Sequence, residues 1–415
     1  MADTLLTHDM LAERLLFDLQ NELSFSAHVY KGYNKEFTEV GRFKKGNSVR
    51  IALPVKFRTK NGIAIDIVDV NETNTTVTVD VQRHVAWDFT EVELTQSVAD
   101  ASGRYLRPAA IALANIIDNL GCSEYVNIYN HVGTPGTAPS TFGVLADAAE
   151  RMDNEAIPRE GRVAVLSPRA YWALADGELK SVFQPQIVET LVRKGFMGRF
   201  AGFDFFMDQN IQAHTTGVFT TSATPVMNGA TAEAATTLVT DGWNATSSTL
   251  TQGDIITVAA VSGVNPVSGD VWENSVLRQF VVTADVTSTG GGDMTIAVSP
   301  TIYSSAATEK VLPYQTIDTL PANEGSITPV GTESTAYAQN LLFHPNAFAL
   351  TVVPYQRPMS AGQSVMWGQA SDPQLGLAIT VSTGFDIDAF DETTRADVLF
   401  GWDTIQPEYA VRLTG

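Results

Sequence analysis

An α+β body interrupted by an all-β module is the fold class this sequence predicts, and three observations carry it. Helical and strand-like periodicities alternate over residues 141–216. The texture then changes at 217–335, a section rich in Thr, Ser, Ala, Gly and Val with no long helical pattern. Mixed periodicity returns over 336–415. At 415 residues the chain exceeds one ordinary core, so two or three structural units are expected.

The elements follow in order. Residues 7–25 read as an amphipathic helix: Leu11, Leu15, Leu19 and Leu23 repeat every four residues, Thr7 suits the cap and Asp9 the first turn. Such a stripe must be buried, either on its own body or on a neighbouring subunit. Residues 38–95 read as a long antiparallel ribbon. Val49, Ile51, Leu53, Val55 and Phe57 alternate along one arm, with Pro54 marking an edge, and Val77, Val79, Val81, Val85, Trp87 and Phe89 alternate along the return. A two-stranded ribbon is marginal alone in water, so it is expected to lie against a partner. A helix over about 108–131 starts at Pro108 and is strengthened by Ala109, Ala110, Ala112 and Ala114. Further on, 143–157 is helical and 162–167 a buried strand. Ser167 and Pro168 open another helix, residues 181–195 hold a fifth helical pattern, and 200–211 return to strand. Within 217–335, DIITVAAV, RQFVVTADV and MTIAVSP are short strands parted by turns such as SGVNPVSGD and TSTGGGD, which predicts a small barrel.

Charge and composition exclude several functions. Net charge is −20 and only 17% of residues are charged, so tight phosphate binding would work against a repulsive whole-molecule field. Of the 26 Lys and Arg, nine fall within thirty residues: Lys31, Lys35, Arg42, Lys44, Lys45, Arg50, Lys56, Arg58 and Lys60. A basic ribbon on an acidic chain suits copies of that chain; a solvated edge strand guarded by lysines is the plainer alternative. The lone Cys122 allows no intrachain disulfide and reads as a small buried hydrophobe. The N-terminus lacks the basic and apolar regions of a secretory signal, and no apolar run approaches the roughly 18 residues of a membrane helix. A soluble protein made inside a cell, without membrane association, is therefore expected.

Catalytic and metal chemistry find no support. The dipeptide Gly-Lys never occurs, so there is no P-loop, and neither H-E-x-x-H nor G-x-S-x-G is present. The six histidines are scattered singly. One acidic stretch, FDIDAFDETTRADVLFGW at 385–402, imitates a calcium loop, but counted from Asp386 it has Phe390 at position 5, Asp391 at 6 and Asp397 at 12, against the required Asp, Gly and Glu. It reads instead as two strands and a turn. Phe385, Ile387, Val398 and Phe400 face a core, Asp386, Asp388, Asp391 and Glu392 are solvated, and DETT forms the turn. No catalytic residue, cofactor or metal site is predicted.

The same stretch resembles a family. Gly384-Phe385-Asp386-Ile387 followed by Arg395-Ala396-Asp397-Val398-Leu399-Phe400-Gly401-Trp402 is similar to the C-terminal end of tailed-bacteriophage major capsid proteins. RHVAWDFTEVELT resembles their E-loop return strand, RYLRPAAIALANIID their spine helix and HPNAFALTVVP their late strand. GDIITVAAVSGVNPVSG with LRQFVVTAD resembles the I-domain of P22-type podovirus coat proteins. The ordered set implies the Hong Kong 97 capsid fold: N-arm helix (1–37), E-loop ribbon (38–95), peripheral domain with spine helix (96–135), axial α/β domain (136–216), inserted β domain (217–335), return through the axial domain (336–380) and C-terminal peripheral strands (381–415). It implies a non-enzymatic virion protein, made in the host bacterial cytoplasm. Its pentamers and hexamers would close into an icosahedral shell around double-stranded DNA held by enclosure rather than by specific binding. A scaffolding protein, a portal protein and a decoration protein are the expected partners; the scaffold is expected to be separate, because the chain begins directly with the arm helix. Candidate contacts between copies are Leu11, Leu15 and Leu19 of the arm, Arg42, Lys44, Lys45, Lys56, Arg58 and Lys60 of the ribbon, and Arg395 with Asp397. A β-rich adhesion or carbohydrate-binding surface protein centred on 217–335 is the competing reading.

Overall fold

The leucine stripe at the N-terminus dictates the first packing event. Helix α1 (His8–Glu22) buries Ala12, Leu15, Leu16 and Leu19, and it does so against the strands Val365–Asp372 and Leu377–Asp386 of its own chain. The approach is close enough that a Cβ on Gly368 would fall 2.2 Å from the His8 carbonyl. The computed structural model describes residues 8–33, 46–59, 67, 69–90, 105–177, 198–219, 224–355, 365–372, 376–386 and 391–415. The chain divides into two compact units.

The first unit combines Met1–Ile51, Thr75–Gly121 and Phe348–Asp403. Its sheet is built on the 14-residue strand Asp391–Thr404, which pairs with Leu377–Asp386, Phe348–Val352 and Val81–Thr90. The ladder begins at the first residue of DETT: Asp391 pairs with both Asp386 and Thr90. The expected polar turn over DETT is therefore strand. Polar side chains are no obstacle to a ladder whose backbone groups find partners on both sides. Phe385, expected in the core, is 42% exposed, whereas Val398 and Phe400 are buried as predicted. Ile387, Asp388 and Phe390 lie outside the described residues.

Helix α2 (Arg107–Ser123) supplies the other wall of this unit, burying Ala109, Ala110, Leu113, Ala114 and Ile117. It is shorter than the 108–131 expected. The chain tightens into a 3-10 turn over Glu124–Asn127 and then forms the strand His131–Val132. Seventeen residues span about 26 Å. Buried Asp118 on this helix accepts from the backbone N–H groups of Ser24 and Ser26 at 2.8 and 2.9 Å and from the Ser26 hydroxyl. It thereby fixes the backbone just past the end of α1. Phe25 packs its ring 5.6 Å from both Phe348 and Trp402, and the Trp402 indole donates to the Ile117 carbonyl at 3.1 Å. Gly121 admits that indole: a Cβ there would sit 2.5 Å from the Trp402 ring.

The second unit combines Ala52–Asn74, Cys122–Ala347 and Thr404–Gly415. Its body is a six-stranded mixed sheet in the order His131–Val132, Ala410–Leu413, Asn340–Phe343, Val163–Leu166, Phe203–Met207 and Arg199–Phe200. The strands Ala410–Leu413, Asn340–Phe343 and Val163–Leu166 are buried on both faces, which is why they read as continuous apolar runs. Helices α3 (Phe142–Asn154) and α4 (Pro168–Asp176) cover the sheet through Leu145, Ala148, Met152, Tyr171 and Leu174. Ser167 caps α4 by accepting from Ala170 N–H at 3.3 Å, with Pro168 in the first turn, as the sequence predicts. The helical pattern at 181–195 lies outside the described residues.

The all-β section is a near-closed barrel. Its strands run in the order Ile327–Pro329, Ile255–Ser262, Leu277–Val282, Met294–Ile302, Ala235–Asp241 and Val226–Met227. A bridge from Val226 to Ser326 joins the two ends of that order, removing the open edges that make sheets prone to association. Ile256, Val258, Phe280, Val282, Ile296, Val298 and Trp243 fill the interior. The chain enters along Ala213–Thr215 and leaves along Ala336–Ala338, and these two strands pair antiparallel, His214 opposite Tyr337.

Candidate assembly site

The barrel is joined to the body by buried charge. Arg278, on the strand Leu277–Val282, is 2% exposed and donates to the Glu155 carboxylate, just past the end of α3, at 2.6 Å. Its guanidinium lies 4.6 Å over the Tyr129 ring and 5.3 Å over Trp272, while Arg151 covers the same indole at 4.7 Å. Burial alone would lower the Arg278 guanidinium, but Glu155 and Tyr129 outweigh it and hold it above its usual range. Arg151 is pulled down to about 10 by burial and by Arg278. The neighbouring Gln279 carboxamide accepts from His131 N–H at 2.7 Å and donates to His131 C=O at 2.9 Å, so one side chain does the work of a strand partner. Buried Arg412 reaches the Ile128 and Gly253 carbonyls at 2.7 Å each, and burial drops it to about 9.

A second buried constellation resembles a proton relay. His214 sits between the Tyr125 hydroxyl at 3.1 Å and the Asp254 carboxylate at 2.8 Å. Asp254 also accepts from the Gly217 and Thr251 N–H groups. All three side chains are buried and each has its partners, so the arrangement fixes the barrel's incoming strand. Among the described residues, no group of three or more His, Cys, Asp or Glu is placed to hold a metal, and no helix is long and apolar enough to cross a membrane.

The predicted contact residues are placed as follows. Leu15 and Leu19 are buried and Leu11 half-buried beneath α1, so the outward face of the arm is carried by Met10, Glu13, Arg14 and Phe17. Arg42, Lys44, Lys45 and Lys60 lie outside the described residues. On the ribbon, the strand is only Ser48–Ala52, paired with Asn74–Thr78, and Phe57 is 72% exposed rather than on a shared buried face, because the ladder ends at Pro54. Lys56 and Arg58 are engaged within their own chain: Lys56 Nζ lies 3.4 Å from Glu408, and Arg58 Nη1 donates to Gln315 at 2.9 Å. Arg395 and Asp397 find each other. They are two apart on one strand and so share a face, with Arg395 Nε and Nη2 donating to one Asp397 oxygen at 2.9 and 2.6 Å. Burial and that carboxylate push the nearby Tyr355 hydroxyl up to about 12.

A spine helix, a two-stranded ribbon, a mixed-sheet body and an inserted barrel make up a fold of the Hong Kong 97 capsid type. The chain belongs to the P22 coat protein family, whose model, described as P22 coat protein - gene protein 5, matches residues 34–415. No curated protein sequence matches it. Among solved structures it is similar to one of Mycobacterium phage Che8, at 15% identity over 94% of this chain and 90% of that one, with a TM-score of 0.48. It is also similar to the capsid of the cyanophage P-SCSP1u (13% identity, 90% and 84% covered, TM-score 0.41) and to that of Ralstonia phage GP4 (10% identity, 94% and 90% covered, TM-score 0.42). The chain is thus a major capsid protein of a tailed double-stranded DNA phage, a non-enzymatic virion component whose copies form an icosahedral shell.

Proposed function

We propose that copies of this chain cluster as pentamers and hexamers through the basic ribbon, and that a separate scaffolding protein directs their closure. The observation that carries this reading is the concentration of nine of the chain's 26 Lys and Arg at residues 31–60 of a protein with net charge −20. Complementary charge of this kind guides encounter and register between copies. Buried Leu15 and Leu19 move the arm's share of the contact to its outward residues, Met10 and Phe17. Packaged DNA is held by enclosure, and a portal protein and a decoration protein are the further partners.

Two experiments test this. Reversing Lys44 and Lys45 to Glu weakens shell assembly, most strongly at low salt, because exposed charges are screened within about 10 Å at 0.1 M; unchanged sedimentation of shells at low salt refutes the ribbon's part. Electron microscopy of the chain made with and without a candidate scaffolding protein gives closed shells of uniform size only in its presence. Uniform shells from the chain alone refute the need for a scaffold.

A further inference from the structure

The ribbon's two legs are joined by the Leu53–Thr73 hydrogen bond of 2.9 Å. From there residues 53–59 belong to no strand, so their backbone groups need other partners. One side chain of the barrel section meets both legs. The Tyr314 hydroxyl donates to the Asn71 carbonyl at 2.7 Å and accepts from the Lys56 N–H at 3.4 Å. A phenol has one proton and spare lone pairs, so it can bridge a donor on one leg and an acceptor on the other. Two further contacts flank it. Next in sequence, Gln315 accepts from Arg58 Nη1 at 2.9 Å while donating its own amide to the Ile317 carbonyl at 2.8 Å. The Lys56 ammonium lies 5.9 Å over the Tyr314 ring and 3.4 Å from Glu408. The Arg58 guanidinium lies against Gly269, where a Cβ would come within 2.6 Å and where φ is +81°. A side chain at that turn would evict the arginine.

We infer that the inserted barrel splints the ribbon: Tyr314 locks both legs to the barrel and thereby sets the direction in which the ribbon reaches for the next copy. The inserted section is then part of the assembly machinery and Tyr314 is its positioning residue. This rests on the ribbon being a contact between copies, as proposed above.

The test reads the splint and its consequence separately, on the full-length chain. Tyr314→Phe removes one oxygen atom and leaves the ring's packing. Hydrogen exchange over 53–58 and 69–73 is expected to quicken about three- to tenfold, the effect of losing one or two modest hydrogen bonds, while exchange over the barrel strands Leu277–Val282 and Met294–Ile302 stays as it was. The yield of closed shells falls with it. Gln315→Met, which removes the Arg58 acceptor at similar volume, gives the same pattern and serves if the first variant misfolds. Unchanged exchange over the two legs overturns the splint. Quickened exchange with a normal yield of shells overturns its role in assembly. If Lys44→Glu with Lys45→Glu assembles normally, the ribbon reading itself falls, and the exchange data still decide the splint.

Discussion

Replacing Arg278 by Met is expected to cost about 3–5 kcal/mol of stability, because the change leaves the buried Glu155 carboxylate without its partner cation. Glu155 and Arg278 are 5% and 2% exposed and 2.6 Å apart, so each is the other's direct partner. The cation also stacks on Tyr129 and Trp272, and an exposed contact of that sort contributes about 0.5–1 kcal/mol, more when desolvated. Denaturant unfolding of the purified subunit measures the loss. The paired change Arg278→Met with Glu155→Leu should recover most of it, since replacing both members of a buried ion pair with well-packed apolar groups is often neutral or stabilising. A single variant within about 0.5 kcal/mol of the parent, the range of an ordinary surface substitution, would refute the assigned role of the seam.

Acidification is expected to loosen the same region through His131. Burial, then Arg412 and Arg151, depress its imidazole from 6.5 to about 3. The sign follows from proton counting. Between about pH 6.5 and pH 3 the unfolded chain takes up a proton that the folded chain refuses, so stability falls as pH falls, by up to about 1.4 kcal/mol per pH unit. Across the window this reaches on the order of 5 kcal/mol. The neutral ring is matched to this site: its Nε2 lies 3.1 Å from the Thr414 hydroxyl, and its backbone is clasped by Gln279. Melting temperatures of the parent and of His131→Gln at pH 7, 6, 5 and 4 should converge as pH drops, since the variant lacks this proton. Curves that stay parallel would show that His131 does not titrate as assigned.

Periodicity made much of this fold legible. The leucines of α1, the cap and proline of α4 and the alternating strands of the barrel all announce themselves within a few neighbouring residues, and the structure follows them. Misreadings arose where the deciding partner is distant. DETT looks like a turn until Thr90 and Asp386 are set beside Asp391. The long helix overran its end because Glu124–Asn127 keeps a helical habit in a tighter form. The buried seam was invisible. Arg278 and Glu155 are 123 residues apart, and nothing local distinguishes them from the other charges of the chain. Arg412, beside a valine and a leucine in the last strand, was the one hint: a lone charge within an otherwise apolar run signals a buried partner. The backbone pairing of 391–397 across three strands could not be read from the stretch 385–402 alone.

The paired strands Ala213–Thr215 and Ala336–Ala338 have a consequence for descent as well as for shape. Because the two crossing points are neighbours in one short ladder, the length of chain between them can grow, shrink or be exchanged without moving the body's ends apart. A lineage could therefore carry the barrel as a cassette. The cassette is not free of its host, however. Deleting it would leave Glu155 without Arg278 and Arg412 without the Gly253 carbonyl. Loss of the barrel is thus coupled to the loss of specific charges in the body, and a relative lacking the module should carry apolar residues in their place.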